Sequence, residues 1–116
     1  MGISYGDDMS TMSTPLGIAE LSAAGQLVVA LHDPRLNAIP ASVLRSPARA
    51  YGHLANYGEV AYSRMFVPGA PILFTVTVRM SLREEPVRAD GLSFHAAALR
   101  AMIVCEGEVR ALIAGL

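Results

Sequence analysis

The sequence contains a single cysteine, no tryptophan and no lysine. One cysteine excludes an internal disulfide and a zinc site built from cysteines, and it favours a reducing compartment. No segment approaches the ~18 consecutive apolar residues of a transmembrane helix. The first residues also lack the basic start and apolar centre of a secretory signal. Together these absences predict a cytoplasmic protein without a membrane segment.

Charge is scarce as well. Only 16% of the residues are charged, against a usual fraction of about 25%. The formal net charge is −1, and the nine basic residues, all arginine, are scattered along the chain, which argues against nucleic-acid binding. In contrast, 53% of the residues are hydrophobic. Since exposed apolar patches usually mark contact sites, we expect a homo-oligomer.

A chain of 116 residues has the length of one domain. Residues 1–14 are polar and show no hydrophobic period, which predicts a flexible N-terminal arm, and residues 15–116 then form the single domain. Its first segments are LGIAELSA (16–23) and QLVVALH (26–32), separated by Ala24 and Gly25. Apolar runs divided by a turn signal predict two short strands.

The middle of the chain carries a helix start signal, Ser46 followed by Pro47. Serine is a good N-cap, and proline fits the first helical position. We therefore predict a helix from about residue 47 to residue 65, ended by a Pro-Gly pair. Helical spacing gives it an apolar stripe and a neighbouring polar stripe, the latter formed by Gly52, Asn56, Glu59 and Ser63.

The C-terminal half begins with a clear strand signal, because ILFTVTVRMS (72–81) alternates apolar and polar residues. LSFHAAALRAMIVC (92–105) and VRALIAGL (109–116), joined by Glu-Gly-Glu, predict a closing hairpin. Segment 92–105 also contains good helix formers, so a helix is the alternative there. The bracketing glycines and the short link favour strands. A strand pair, one helix and three strands predict an α+β fold.

Two stretches resemble the hotdog superfamily, and within it the acyl-CoA thioesterases of the phenylacetate-pathway type: LGIAELSAAGQLVVALHDPRLN, which ends at Asn37, and TVTVRMSLREEPVRADGLSFHAAALRAMIVCEGEVRALIAGL. The resemblance implies a hotdog fold, in which an antiparallel sheet wraps around one central helix. It also implies a dimer or larger oligomer whose last strands form a joint sheet across the interface. The implied partner is an acyl-CoA or acyl-carrier thioester, with no cofactor.

The catalytic His-Gly-Gly signature of these thioesterases is absent. The segment that follows Asn37 is AIPASVLRSPARAYGH, and its nearest substitute is the pair Gly52 and His53. With Asn56, this pair fits the Gly-His-x-x-Asn letters of another hotdog branch. The missing signature keeps open a catalytically degenerate protein that binds acyl groups or serves as an assembly subunit.

Thioester hydrolysis requires a carboxylate that activates water or attacks directly, together with a donor for the oxyanion. Glu59 is the best candidate, because burial on the predicted helix would raise its pKa. Asn56 precedes it by one turn and would position the water. His53 is the third catalytic candidate, although it lies round the helix from Glu59 and would meet it only across a dimer. The structural alternative is an interface glutamate and amide beside a packed histidine.

The candidates for substrate binding are Asn37, Arg83 and Arg88. Asn37 and the amides near Ser46 would form the corner that binds the carbonyl, since a helix start favours negative charge. Arg83 and Arg88 are the candidates for the coenzyme A phosphates, by analogy with hotdog enzymes. The three dispersed histidines predict no metal site. A small monomeric α+β barrel that binds a ligand remains the alternative outside the hotdog class.

Overall fold

The computed structural model describes residues 22–81 and 83–116 and has an α+β architecture, which confirms the predicted class. The predicted arm and nearly all of the predicted strand at 16–23 lie outside these residues. The described helices are α1 (Ala23–Leu31), α2 (Ala41–Leu44), α3 (Pro47–Leu54) and α4 (Phe94–Ala114), with a 3-10 turn at Pro34–Leu36. The strands are β1 (Glu59–Met65), β2 (Leu73–Arg79) and β3 (Val87–Gly91).

The three strands form an antiparallel sheet in the order β1-β2-β3. The strand predicted over residues 72–81 is confirmed as β2, the central strand, and its alternation matches the burial. Val76 and Val78 are fully buried and Met80 nearly so, whereas Arg79 between them is exposed. The buried face of β2 packs against α4.

The long helix α4 packs on β2 and β3 and also contacts α1 and α3. Ser93 caps it by accepting a hydrogen bond from the Ala96 amide at 3.0 Å. Leu99 and Met102 are among the side chains that it buries fully. The hairpin predicted over 92–105 and 109–116 is therefore wrong, and so is a joint sheet formed by last strands. The alanine-rich helix formers prevail, and the helix runs through Gly107 despite its cost of about 1 kcal/mol.

The segment QLVVALH belongs to α1, so the strand predicted there is also wrong. Ser22 accepts a hydrogen bond from the Gly25 amide at 3.0 Å and caps the helix. The helix buries Gln26 and Ala30, four residues apart, and leaves Val28 exposed. Short apolar runs do not distinguish a strand from a helix by periodicity.

Helix α3 begins at Pro47, as predicted, but ends at Leu54, so the helix predicted to residue 65 is wrong beyond that point. The chain turns and then enters β1 at Glu59. Gly58 at this junction lies so close to β2 that a Cβ atom would stand 2.1 Å from the Arg79 carbonyl oxygen. Pairing of β1 with β2 thus outweighs the helical pattern that would place Glu59 on a polar helix stripe.

Aromatic contacts connect the edge strand β1 to the helices. The Tyr62 ring lies 4.7 Å from Phe94 in an edge-to-face arrangement and 6.4 Å from Phe74 in a stacked one, between ring centroids. Tyr51 on α3 lies 5.1 Å from Phe94. The Tyr62 side of β1 therefore faces the helical layer. Within residues 22–81 and 83–116, no helix is both long enough and apolar enough to cross a membrane.

Candidate functional site

A cleft of about 370 Å³ opens between α1, β3 and α4. Its volume lies within the ~300–1,000 Å³ typical of small-molecule sites. Helices α1 and α4 supply an apolar floor, formed by Val29, Ala30, Ile103 and Val104. Charged side chains from β3, from α4 and from the segment after α1 surround this floor, so the cleft joins an apolar surface to a polar rim.

Three guanidinium groups and two carboxylates line the rim. The Asp90 carboxylate accepts the Thr75 hydroxyl at 2.7 Å and lies 3.6 Å from Nε of Arg88. Nη1 of Arg100 donates to the Asp90 main-chain oxygen. In the described part of the chain, Arg100 has no carboxylate partner, so its charge is not compensated there.

The other carboxylate of the rim, Asp33, is held by its neighbour. Nε and Nη2 of Arg35 donate to the two Asp33 oxygens at 3.0 and 2.9 Å. The side-chain hydrogen bonds from Arg35 hold the pKa of the Asp33 carboxyl below its ordinary value. This pair is therefore neutral as a unit. Because Arg88 lies beside Asp90, the one excess positive charge of the rim lies with Arg100.

Gln26 adds a polar group to the cleft wall. It is only 3% exposed, and its side-chain oxygen accepts the Leu92 amide at 2.7 Å. Among residues 22–81 and 83–116, nothing accepts a hydrogen bond from its NH₂ group. Since a buried donor without a partner costs about 1–3 kcal/mol, an acceptor on a bound ligand would find a donor here.

A second polar cluster, the Tyr57 chain, connects the end of α3 with α4 through Asn56, His53, Tyr57 and Glu106. The Tyr57 hydroxyl donates to the Glu106 carboxylate, and Nε2 of His53 lies 3.3 Å from the Tyr57 oxygen. Nδ2 of Asn56 lies 3.4 Å from Nδ1 of His53. Because Tyr57 uses its proton on Glu106, His53 donates through Nε2 and accepts through Nδ1.

The structure separates the predicted catalytic residues. It brings His53 and Asn56 together in the Tyr57 chain, whereas Glu59 is exposed at the start of β1, opposite Arg79, and lines no part of the cleft. The helical stripe on which its predicted burial depended does not exist. Glu106 was missed because it fell in a predicted turn.

The predicted substrate-binding residues are also separated. Arg88 lines the cleft, but Asn37 is exposed beside the 3-10 turn. Arg83 lies outside the cleft, 3.9 Å from Glu108 of α4. At the start of α3, Ser46 accepts the Arg49 amide at 3.2 Å, so that donor is occupied. Arg100 and Gln26 were not predicted as site residues, because their segments were predicted as strands.

The Cys105 thiol and the Tyr57 phenol should make the protein less stable at alkaline pH. Burial raises the pKa of the Cys105 thiol from 9.0 to about 11, and burial together with the Glu106 hydrogen bond raises the pKa of the Tyr57 phenol above its ordinary value. Each group thus contributes fully to the free energy of unfolding below the pKa that it has in the unfolded chain. This contribution disappears as the pH rises through the higher pKa that the group has in the folded protein. We expect the urea midpoint to fall between pH 9 and 11.

Matched variants assign this loss to the two groups. Cys105→Ala should remove the part of the decline that begins near pH 9, and Tyr57→Phe the part that begins near pH 10. Urea titrations at each pH measure both effects. An unchanged pH slope in both variants would contradict the assignment.

In the described ranges, no group of three or more His, Cys, Asp or Glu side chains is placed to hold a metal ion. The cleft is instead suited to an amphipathic anion, because it combines apolar surface with guanidinium groups. Comparison of the chain with known protein families, curated proteins and solved structures found no match.

Proposed function

We propose that the protein binds an acyl thioester, carried by coenzyme A or by a carrier protein, in the cleft between α1, β3 and α4. The observation that carries the proposal is an apolar floor beneath the guanidinium groups of Arg88 and Arg100. Such a ligand combines an apolar chain with phosphate groups. Guanidinium groups bind phosphate through two parallel hydrogen bonds, so the charge and the apolar surface match one ligand class.

Binding without hydrolysis is the form of this function that the geometry supports best. The two carboxylates of the rim are engaged, Asp33 by Arg35 and Asp90 by Thr75 and Arg88. Glu59 lies outside the cleft. The sequence also lacks the His-Gly-Gly signature. Each observation favours the degenerate acyl-binding protein over the hydrolase.

The hotdog fold is part of the same proposal. An antiparallel sheet packed against one long helix, α4, supports it. The helix in that role is the last element of the chain, whereas the resemblance implies a helix over residues 47–65. The proposal therefore rests on the layer arrangement, because the stretch from Thr75 onward forms α4 where the resemblance implies strands.

Calorimetric titration with decanoyl-CoA tests the proposal. We expect saturable binding, and we expect Arg88→Gln and Arg100→Gln each to weaken it about tenfold, equivalent to about 1.4 kcal/mol. Arg49→Gln is the matched control, because it removes the same charge from an exposed position outside the cleft. Separate titrations with coenzyme A and with free decanoate show how much of the affinity comes from the phosphate groups and how much from the acyl chain.

The same samples measure thiol release, which we expect to equal the rate without protein. Absence of binding, or equal weakening by Arg49→Gln, would contradict a ligand site in the cleft. Catalysed release would contradict binding without hydrolysis. In that case Glu59→Ala would test the carboxylate that the resemblance assigns to the hydrolase.

A further inference from the structure

The wall of the cleft contains a buried hydrogen-bond donor that the fold leaves unused. Gln26 and Thr75 are the buried polar side chains among residues 22–81 and 83–116, at 3% and 8% exposure. The Thr75 hydroxyl donates to Asp90, so its proton has a partner. The Gln26 oxygen accepts the Leu92 amide, but within the same residues its NH₂ group has no acceptor. Since buried polar groups are normally hydrogen-bonded, this NH₂ group indicates an acceptor that these residues do not supply.

The hydrogen bond to Leu92 determines which end of Gln26 is left for the cleft. A main-chain amide only donates, so the group that meets it is the side-chain oxygen. Gln26 lines the cleft, and its NH₂ group is the part that a ligand can use. Because the bond already fixes the side chain, an incoming acceptor meets a donor that needs little further ordering.

Gln26 lies where the apolar floor of the cleft meets its positive charge. On α1 it shares a helical face with Val29 of the floor, three residues later. Arg100 donates to the Asp90 main-chain oxygen at the end of β3. Gln26 holds the Leu92 amide, two residues further along the chain. The NH₂ group therefore lies between the apolar surface and the Arg100 guanidinium group.

We propose that the Gln26 NH₂ group donates to the carbonyl oxygen of the bound thioester, so that Gln26 selects acyl thioesters over ligands that lack this oxygen. This role rests on the proposed function and names the residue that recognises the acyl group. The carbonyl of an acyl thioester lies between the apolar chain and the phosphate-bearing carrier. The Gln26 donor has the corresponding place between the floor and Arg100.

The same donor disfavours a ligand without the carbonyl. The thioether S-decyl-CoA has the chain, the sulfur and the phosphates of decanoyl-CoA, but a methylene group in place of the carbonyl. In the cleft it would leave the Gln26 NH₂ group against apolar atoms and without water, which costs free energy. A site built to hydrogen-bond a polar group rejects the analogue that lacks it. We expect the wild type to bind decanoyl-CoA about tenfold more tightly than S-decyl-CoA.

Calorimetric titration of both ligands tests this role through the ratio of their dissociation constants. Gln26→Leu removes the donor, and we expect the preference for decanoyl-CoA to disappear. Val104→Ala is the control, because it trims the apolar floor and should weaken both ligands by the same factor. A merely structural role of Gln26, through its bond to Leu92, would also weaken both ligands equally and leave the preference in place.

Gln26→Glu is the second variant, which decides the question if Gln26→Leu does not fold. It keeps an oxygen for the Leu92 amide and replaces the NH₂ group with one that donates only while it is protonated. We expect its preference for decanoyl-CoA to disappear as the pH rises and the carboxyl group ionises, whereas the wild-type ratio stays constant. The titrating groups of the rim and of coenzyme A act on both ligands, so their effects cancel in the ratio.

The results separate failure of the Gln26 role from failure of the proposed function. Equal binding of both ligands by the wild type, a preference that persists in Gln26→Leu, or a preference in Gln26→Glu that does not change with pH would overturn the Gln26 role alone. A wild type that binds neither ligand would overturn the Gln26 role and the proposed function together.

Discussion

Gly58→Ala should destabilise the protein by about 3 kcal/mol. A Cβ atom at this position would lie 2.1 Å from the Arg79 carbonyl oxygen and 3.2 Å from the Met80 Cα atom, both on the backbone of β2. Rotation of a side chain cannot relieve either contact, so β1 must move away from β2 at its first pair. Urea unfolding followed by circular dichroism measures the loss.

Gly52→Ala is the matched control for this prediction. Gly52 lies inside α3, and a Cβ atom there would meet nothing within 4 Å. Because glycine costs a helix interior about 1 kcal/mol relative to alanine, we expect this variant to be slightly more stable than the wild type. Equal effects of the two substitutions would contradict the tight junction between α3 and β1.

Leu99→Ala should cost about 3 kcal/mol of stability, since truncation of a fully buried leucine removes transfer free energy and leaves a cavity. Leu99 is inaccessible to solvent and lies in the core that α4 forms with the sheet. The variant tests the helical assignment of residues 94–114, because that assignment determines which residues of the segment point into the core.

Leu112→Ala, on the same helix, provides the comparison. Leu112 is 47% exposed, and we expect a change within about 0.5 kcal/mol. Thermal and urea unfolding of both variants measure the difference. A larger loss for Leu112→Ala than for Leu99→Ala would contradict the orientation of α4.

The features that local chemistry determines could be predicted from the sequence. The strand β2 follows from strict alternation, since Val76 and Val78 face the core and Arg79 faces solvent. The start of α3 follows from the Ser46 cap and from Pro47, which fits the first helical position. Both signals act within a few residues, so neither needs knowledge of the rest of the chain.

The features that tertiary contacts determine could not be predicted from the sequence. The run LVVAL (27–31) has no polar residue that would mark a period, and its helical form follows from burial of Gln26 and Ala30. Segment 92–105 left helix and strand open, with strands favoured, and its contacts with the sheet decide for the helix. The end of α3 depends on the approach of Gly58 to β2, a contact that has no signature in the sequence around it.

The candidate site was also predicted only in part. The analogy with hotdog enzymes selected Arg88, which does line the cleft. The cleft itself is formed by three elements distant in sequence, and two of them were predicted with the wrong secondary structure. Arg100 and Gln26 therefore could not be grouped with it. A helical assignment of 92–105 and of the segment around Gln26 would have been needed first.

Amide chemical-shift mapping during titration with decanoyl-CoA is the sharpest test of a ligand site in the cleft, because it locates the ligand as well as detecting it. We expect the largest, saturable shifts at the cleft, for Gln26 and Ala30 on α1, Arg88 on β3, and Arg100 and Val104 on α4. We expect smaller shifts at β1. Shifts confined to the surroundings of Glu59, or no saturable shift in any part of the chain, would contradict a ligand site in the cleft.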